Sequence, residues 1–179
     1  MEALGGGGKV SGRSREPITL KDLRRLGALA KQDREDLFRR KIETGRLYAD
    51  RLFAVALCQG AAKHYIDRKS GIKDFDVWSF YRAHPERQFP PRRVAQVDFG
   101  DPRFGTTDGS PEFVGRRVDL IGRSLRGTDF SDPVLVLRNY LRDGVTETAR
   151  CLAQKAVVLI EPVELLGTIV WPDKGRKHR

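Results

Sequence analysis

The order of apolar and polar positions divides the chain into alternating helical and strand-like stretches. Thr19 is placed to cap a helix, with Asp22 three residues on as a capping box, and Leu20, Leu23, Leu26 and Leu29 or Ala30 follow at helical spacing. A second, charged helix is expected over residues 33–46, with Leu37, Phe38, Ile42 and Leu47 on its apolar side. Leu52 to Cys58 is a continuous apolar run of strand length, as for a strand buried on both faces. The run ends at Gly60. Residues 61–68 then have helical composition, with Ala62, Tyr65 and Ile66 as the apolar side and Gly71 as the stop. Residues 75–81 are aromatic and β-branched and read as a strand. Residues 84–112 carry five prolines and read as loop, with one strand over 93–99, and residues 114–125 form a further strand. Pro133 sits in the first turn of a helix capped by Ser131 or Asp132 and reaching about Leu141. Thr146 caps another helix to about Gln154, and residues 156–160 are a last apolar strand. This order predicts an α/β fold: a mixed sheet with helices mainly on one face and an N-terminal helical extension.

Composition adds a boundary and a bias. The first 16 residues, with the run Gly5 to Gly8, read as a linker, and Gly8-Lys9-Val10 lacks the Ser or Thr and the preceding strand that a phosphate loop needs. Residues 17–50 read as a basic helical extension, 51–172 as the main domain and 173–179 as a basic tail. The chain has 179 residues, 34 Lys and Arg against 24 Asp and Glu, and a net charge of +10. That surplus favours an anionic partner. Twelve basic and seven acidic residues between Arg13 and Arg51 make this arm a candidate nucleic-acid contact, the alternative being a solvated helix face. No apolar run reaches membrane-span length, and the first ten residues lack a signal-peptide core. Cys58 and Cys151 both lie in apolar segments and read as buried thiols of a reducing, cytoplasmic compartment. A secreted disulfide scaffold, a membrane protein and a four-cysteine zinc module are excluded.

The candidate chemistry is concentrated in Lys73-Asp74-Phe75-Asp76-Val77-Trp78. On a strand, Asp74 and Asp76 point to one face while Phe75 and Val77 enter the core behind them. Two such carboxylates repel unless a cation lies between them, and a hard divalent cation with oxygen ligands is the natural partner. Asp119, flanked by Val118 and Leu120, supplies a third carboxylate if its strand is a neighbour. Three converging carboxylates suit one or two Mg²⁺ or Mn²⁺ ions, the arrangement that serves phosphoryl transfer. The strand-to-helix junction at Gly60, Ala61 and Lys63 offers free backbone N–H groups and a cation to a triphosphate.

In order and spacing, Gly60-Ala61, a short helix, Gly71, Lys73-Asp74-Phe75-Asp76-Val77 and a later strand with Asp119 resemble the nucleotidyltransferase superfamily. That superfamily includes DNA polymerase beta, CCA-adding enzymes, aminoglycoside nucleotidyltransferases and small toxin–antitoxin members. The resemblance covers residues 52–125. It implies that Asp74, Asp76 and Asp119 bind metal and act in catalysis, with Asp119 helping to deprotonate the acceptor. It further implies that Gly60, Ala61 and Lys63 bind the nucleotide, ATP or another nucleoside triphosphate. By the same resemblance, the cofactor would be Mg²⁺ or Mn²⁺, and a nucleotidyl group would pass from the triphosphate to an acceptor hydroxyl. The basic charge favours RNA, such as tRNA, as the acceptor; an antitoxin or other partner protein also falls within the family's range. Ala61 stands where the family usually has Gly or Ser, so phosphate binding would rest on backbone N–H groups and on cations such as Lys63. The alternative is a module that keeps the fold without turnover and binds nucleic acid or a partner protein.

Other positions are weaker. His64 reads as packing or surface; His84 and His178 lie in loop and tail, and no Cys or His spacing matches a zinc site. Ser124 and Ser131 lack a nucleophile-elbow context. Trp78 and Phe80 share the face of the aspartates and read as core more readily than as a base-stacking platform. Arg117 shares the face of Asp119 and is placed to pair with it or with a phosphate.

Overall fold

The computed structural model describes residues 12–90 and 93–173. Strand β1 (Leu52–Cys58) lies between two antiparallel neighbours, β2 (Phe75–Arg82) and β5 (Val157–Glu161). Beyond β2, β4 (Arg117–Leu125) runs parallel to it, and β3 (Val94–Asp98) closes that edge antiparallel to β4. Beyond β5, β6 (Ile169–Trp171) closes the other edge. The result is a mixed six-stranded sheet in the order β3-β4-β2-β1-β5-β6. The apolar run of β1 is buried from Ala54 through Cys58 because the strand is central and both its faces are covered.

The covers come from different ends of the chain. Helices α1 (Leu20–Arg40) and α3 (Gln59–Asp67) pack Leu23, Leu26, Ala30, Ala61 and Ala62 against Val55, Leu57, Val77, Leu120 and Val158. Helices α4 (Pro133–Asp143) and α5 (Glu147–Ala153) pack Leu137, Leu141 and Leu152 against Ala54, Ala56, Cys58 and Leu159 on the opposite face. The expectation of helices mainly on one face is therefore corrected. A strand apolar on both sides needs a cover on each, and α4 and α5 provide the second.

The N-terminal segment also departs from expectation. Thr19 and Asp22 form the expected capping box, the Asp22 carboxylate accepting from Thr19 N at 2.7 Å. However, α1 runs unbroken to Arg40, because Leu23, Ala30 and Leu37 continue one buried stripe. The break falls at Lys41, before α2 (Ile42–Tyr48). At α2, Gly45 lies against Phe38, where an added side chain would meet Phe38 Cβ at 3.0 Å. Since α1 supplies part of the main core, it is not an appended extension. The boundary at residue 16 moves as well. Residues 12–16 are stitched to the main domain: Ser14 and Ile72 exchange two backbone hydrogen bonds of 2.8 Å, and Gly12 O accepts from Arg116. The linker and phosphate-loop readings for residues 1–11, and the tail from 174, lie outside the described residues.

Two smaller corrections follow. Cys151 is exposed, because α5 turns Ala149 and Leu152 inward and Cys151 outward; Cys58 is buried. Strand β6 had no sequence signal, since three residues are too few to show a period. Among the described residues, no helix is long and apolar enough to cross a membrane.

Candidate functional site

Parallel pairing of β2 with β4 sets Asp76 directly beside Asp119. Side-by-side residues on neighbouring strands share a face, about 4.8 Å apart across the sheet. Asp74, one step before β2, lies beside Arg117 in the same register direction and on the same face. The three aspartates therefore share one end of the α4/α5 face, the placement expected if the two strands are neighbours. Phe75 and Val77 point the other way into the main core, as expected from alternation.

One guanidinium serves these carboxylates. Arg117 Nη2 donates to Asp74 Oδ2 at 3.1 Å and to Asp119 Oδ2 at 3.3 Å. Arg117 Nε lies 3.0 Å from Asp119 Oδ1, but off the hydrogen-bond direction. That contact is an ion pair that leaves both buried atoms without a directed bond. Among the described residues nothing donates a hydrogen bond to Asp76. Burial, then the charges of Asp74 and Asp119, push its carboxyl up to about 7, against the weaker pull of Lys155 and Arg117. Asp119 is also raised, chiefly by burial and in part by Asp74, with Arg117 opposing. Beneath them the Cys58 thiol is pushed up by burial and by the Asp76 charge.

A buried frame holds the approach to Asp74. The Arg116 guanidinium, 3% exposed, donates to Phe104 O, to Gly12 O at 2.9 Å and to Lys73 O at 3.1 Å. Thr107 Oγ1 donates to Lys73 O at 3.2 Å and accepts from Arg117 N at 3.0 Å. Sequence reasoning passed over Arg116 in this role. Its signal was its parity: it alternates with Arg117 and so faces the opposite side.

The strand-to-helix junction is less uniform than expected. Gln59 takes φ 62, a left-handed conformation that a non-glycine residue adopts at a cost of about 1 kcal/mol. It turns the chain sharply from β1 into α3, with Gln59 N donating to Ala156 O at 3.0 Å and Gln59 Nε2 to Cys151 O at 3.2 Å. Gly60 and Ala61 follow in the first turn, where backbone N–H groups have no helical partner. The Ala61 methyl is 1% exposed and belongs to the main core, so its side chain faces away from the carboxylates. Lys63 is exposed. His64 is buried as a strut: Nδ1 accepts from Gly71 N at 3.0 Å, so Nε2 carries the hydrogen and donates to Glu16 O at 3.0 Å.

Along the face from Asp76, Phe80 is core, but Trp78 is half-buried and lines a cavity of about 230 Å³ with Gln59, Thr148 and Cys151. Arg123 Nη1 donates to Thr148 Oγ1 at 2.8 Å at its far side. Ser124 Oγ accepts from Phe89 N, a packing role, and His178 lies outside the described residues.

The donor set is all carboxylate oxygen, which fits a hard divalent cation. As arranged here, Arg117 takes the place of counter-cation, and among the described residues no group of three or more His, Cys, Asp and Glu side chains is drawn together closely enough to hold an ion. No protein-family model matches the chain, and no curated protein matches it significantly.

Proposed function

We propose that the chain is a metal-dependent nucleotidyltransferase that moves a nucleotidyl group from a nucleoside triphosphate to an acceptor hydroxyl. The observation that carries this reading is Asp76. It is a half-buried carboxylate to which nothing among the described residues donates a hydrogen bond, set in register beside Asp119 and next to Asp74. A fold selected for stability alone has no reason to hold three carboxylates around one guanidinium.

Asp74, Asp76 and Asp119 would hold Mg²⁺ or Mn²⁺. A bound ion supplies charge neutralisation of the triphosphate and polarisation at its α-phosphorus. The chain's own residues do the rest. The first-turn N–H groups of Gly60 and Ala61 would donate to a phosphate oxygen, with Lys63 as a nearby cation. Asp119 takes the proton of the acceptor hydroxyl as its oxygen bonds to the α-phosphorus and pyrophosphate departs. Arg117 holds Asp74 and Asp119 in place before the cation enters.

The second reading is a module that retains the fold without turnover. The Arg117 ties favour it, because they satisfy part of the site without a metal. Thermal melting with Mg²⁺, a non-hydrolysable triphosphate, or both decides between the two. The transferase reading expects a joint gain larger than either alone, near 2.7 kcal/mol at about a hundred times the dissociation constant. Asp76→Asn should remove the joint gain. No joint gain in the parent would leave the second reading standing.

A further inference from the structure

The cations of the N-terminal arm are largely committed within the fold. Arg25 donates to Phe99 O and lies over the Phe99 ring, and Arg34 pairs with Glu161 at 3.7 Å. Arg39 pairs with Asp36, Arg40 donates to Asp36 O, and Arg46 pairs with Glu43. Lys21, Arg24 and Lys41 have no such tie among the described residues, and nor does most of a second group, in which only Arg15 is tied, to Lys69 O. Arg13, Arg15, Lys63, Arg68, Lys69 and Lys73 are all exposed, and none takes part in an ion pair among the described residues.

The fold brings Arg13, Arg15, Lys69 and Lys73 into one ridge beside the carboxylates, and Lys63 and Arg68 adjoin it on α3 and at its C-terminal cap. The Ser14–Ile72 exchange lays residues 12–16 along the connection from α3 to β2, and Arg15 donates to Lys69 O. Gly71, at φ 72, lets that strip approach closely: an added Cβ would meet Arg13 Cβ at 2.8 Å. The Arg13 guanidinium lies 3.8 Å from where a Gly60 side chain would start. Arg116 ties Gly12 O and Lys73 O together, so the ridge ends next to Asp74. Windows 13–16 and 63–73 hold six cations against Glu16 and Asp67, a surplus of four out of the chain's +10. Asp67 caps the turn after α3, accepting from Lys69 N, Ser70 N and Ser70 Oγ.

We infer that this ridge, rather than the helical arm, is a docking surface for the phosphate backbone of single-stranded RNA. Six exposed cations on two adjoining chain segments match a polyanion. None of the exposed large apolar side chains lies on the ridge, so a membrane surface has nothing to bury there. Only the choice of RNA, whose hydroxyls would serve as acceptor beside Asp74, rests on the proposed transferase reading.

The test is fluorescence anisotropy of a labelled short single-stranded RNA, without divalent metal or nucleotide. A ridge variant, Lys63→Gln/Lys69→Gln/Lys73→Gln, removes three cations whose side chains make no hydrogen bond. A control, Arg39→Gln/Arg40→Gln/Lys41→Gln, removes the same charge at the far end of α1. From about 50 to about 200 mM salt, the ridge variant should lose up to about 2 units of log–log salt slope, at about 0.7 per phosphate contact, and bind at least about tenfold more weakly. The control should match the parent. Asp76→Asn should bind RNA as the parent does, so loss of transfer and loss of docking are separable. Equal losses in ridge and control variants, no RNA binding by the parent, or tighter binding to phosphatidylserine vesicles than to RNA would each overturn the ridge.

Discussion

Two acidic neighbourhoods in this molecule are built on opposite terms. In the first, each aspartate of α1 has its own donors. Both oxygens of Asp33 accept from Arg93 at 2.6 Å. Burial alone would raise Asp22, but hydrogen bonds from Arg103 and Thr19 outweigh it and hold the carboxyl below its usual range. In the second, Asp74 and Asp119 share Arg117 while nothing among the described residues donates to Asp76, and burial with the charges of its two neighbours pushes the Asp76 carboxyl up to about 7. Burial is similar in kind; the number of donors per carboxylate differs. Matched pairs tie helix to sheet. An excess of carboxylate over donor costs stability and leaves oxygen lone pairs without a partner, the chemistry that a hard cation would satisfy.

The sharpest break between the two regions is in activity. Asp76→Asn should lower nucleotidyl transfer at least about a hundredfold, as when one group that stabilises a transition state is lost. Turnover of a labelled triphosphate measures it. Asp33→Ala, by contrast, should leave transfer nearly intact and destabilise the fold by about 3 kcal/mol, because it strands the half-buried Arg93 guanidinium. Urea denaturation reads that loss, and a value near zero would place the two neighbourhoods in one class.

The next effect is in pH. Because Asp76 has its folded pKa raised, its favourable contribution is full below the ordinary carboxylate range and is lost as pH rises through about 7. Parent stability relative to Asp76→Asn should therefore fall between about pH 4 and about pH 8, by up to about 4 kcal/mol. Asp22 runs the other way: its folded pKa is lowered, so its contribution holds at neutral pH and is lost as the solution is acidified. Melting of parent, Asp76→Asn and Asp22→Asn across pH distinguishes the signs. The smallest effect concerns Arg117→Gln. Without its guanidinium, added Mg²⁺ should raise the melting temperature by about 2–4 °C more than in the parent, roughly 1 kcal/mol for a domain of this size. An equal rise in both would mean that Arg117 does not compete with the cation.

Much of the frame was legible in the sequence because its signals are local. The apolar run of β1, the Thr19–Asp22 box, Pro133 with its cap and the Asp-x-Asp of β2 all act within a few residues. Parity alone put Asp74 and Asp76 on one face, and it put Asp119 on the face opposite Val118 and Leu120. The readings that failed were those that depend on distant partners. The sequence gives the helical arm the look of an appendage because its amphipathic pattern does not say what covers its apolar side. Cys151 was read as buried because a short helix gives no sign of which residue faces in.

The sequence by itself determined the element types, the caps and the side of the strand on which each carboxylate stands, since those follow from backbone period and sterics within one segment. Only the tertiary structure decided that β2 and β4 are parallel neighbours in a register that sets Asp76 beside Asp119. It also decided that Arg117 spans two carboxylates, and that residues 12–16 carry Arg13 and Arg15 to the rim of the site. The physical reason is range. Pairing register, donor allocation and the gathering of free cations depend on groups more than forty residues apart, such as Asp74 and Arg117, which meet only when the sheet closes.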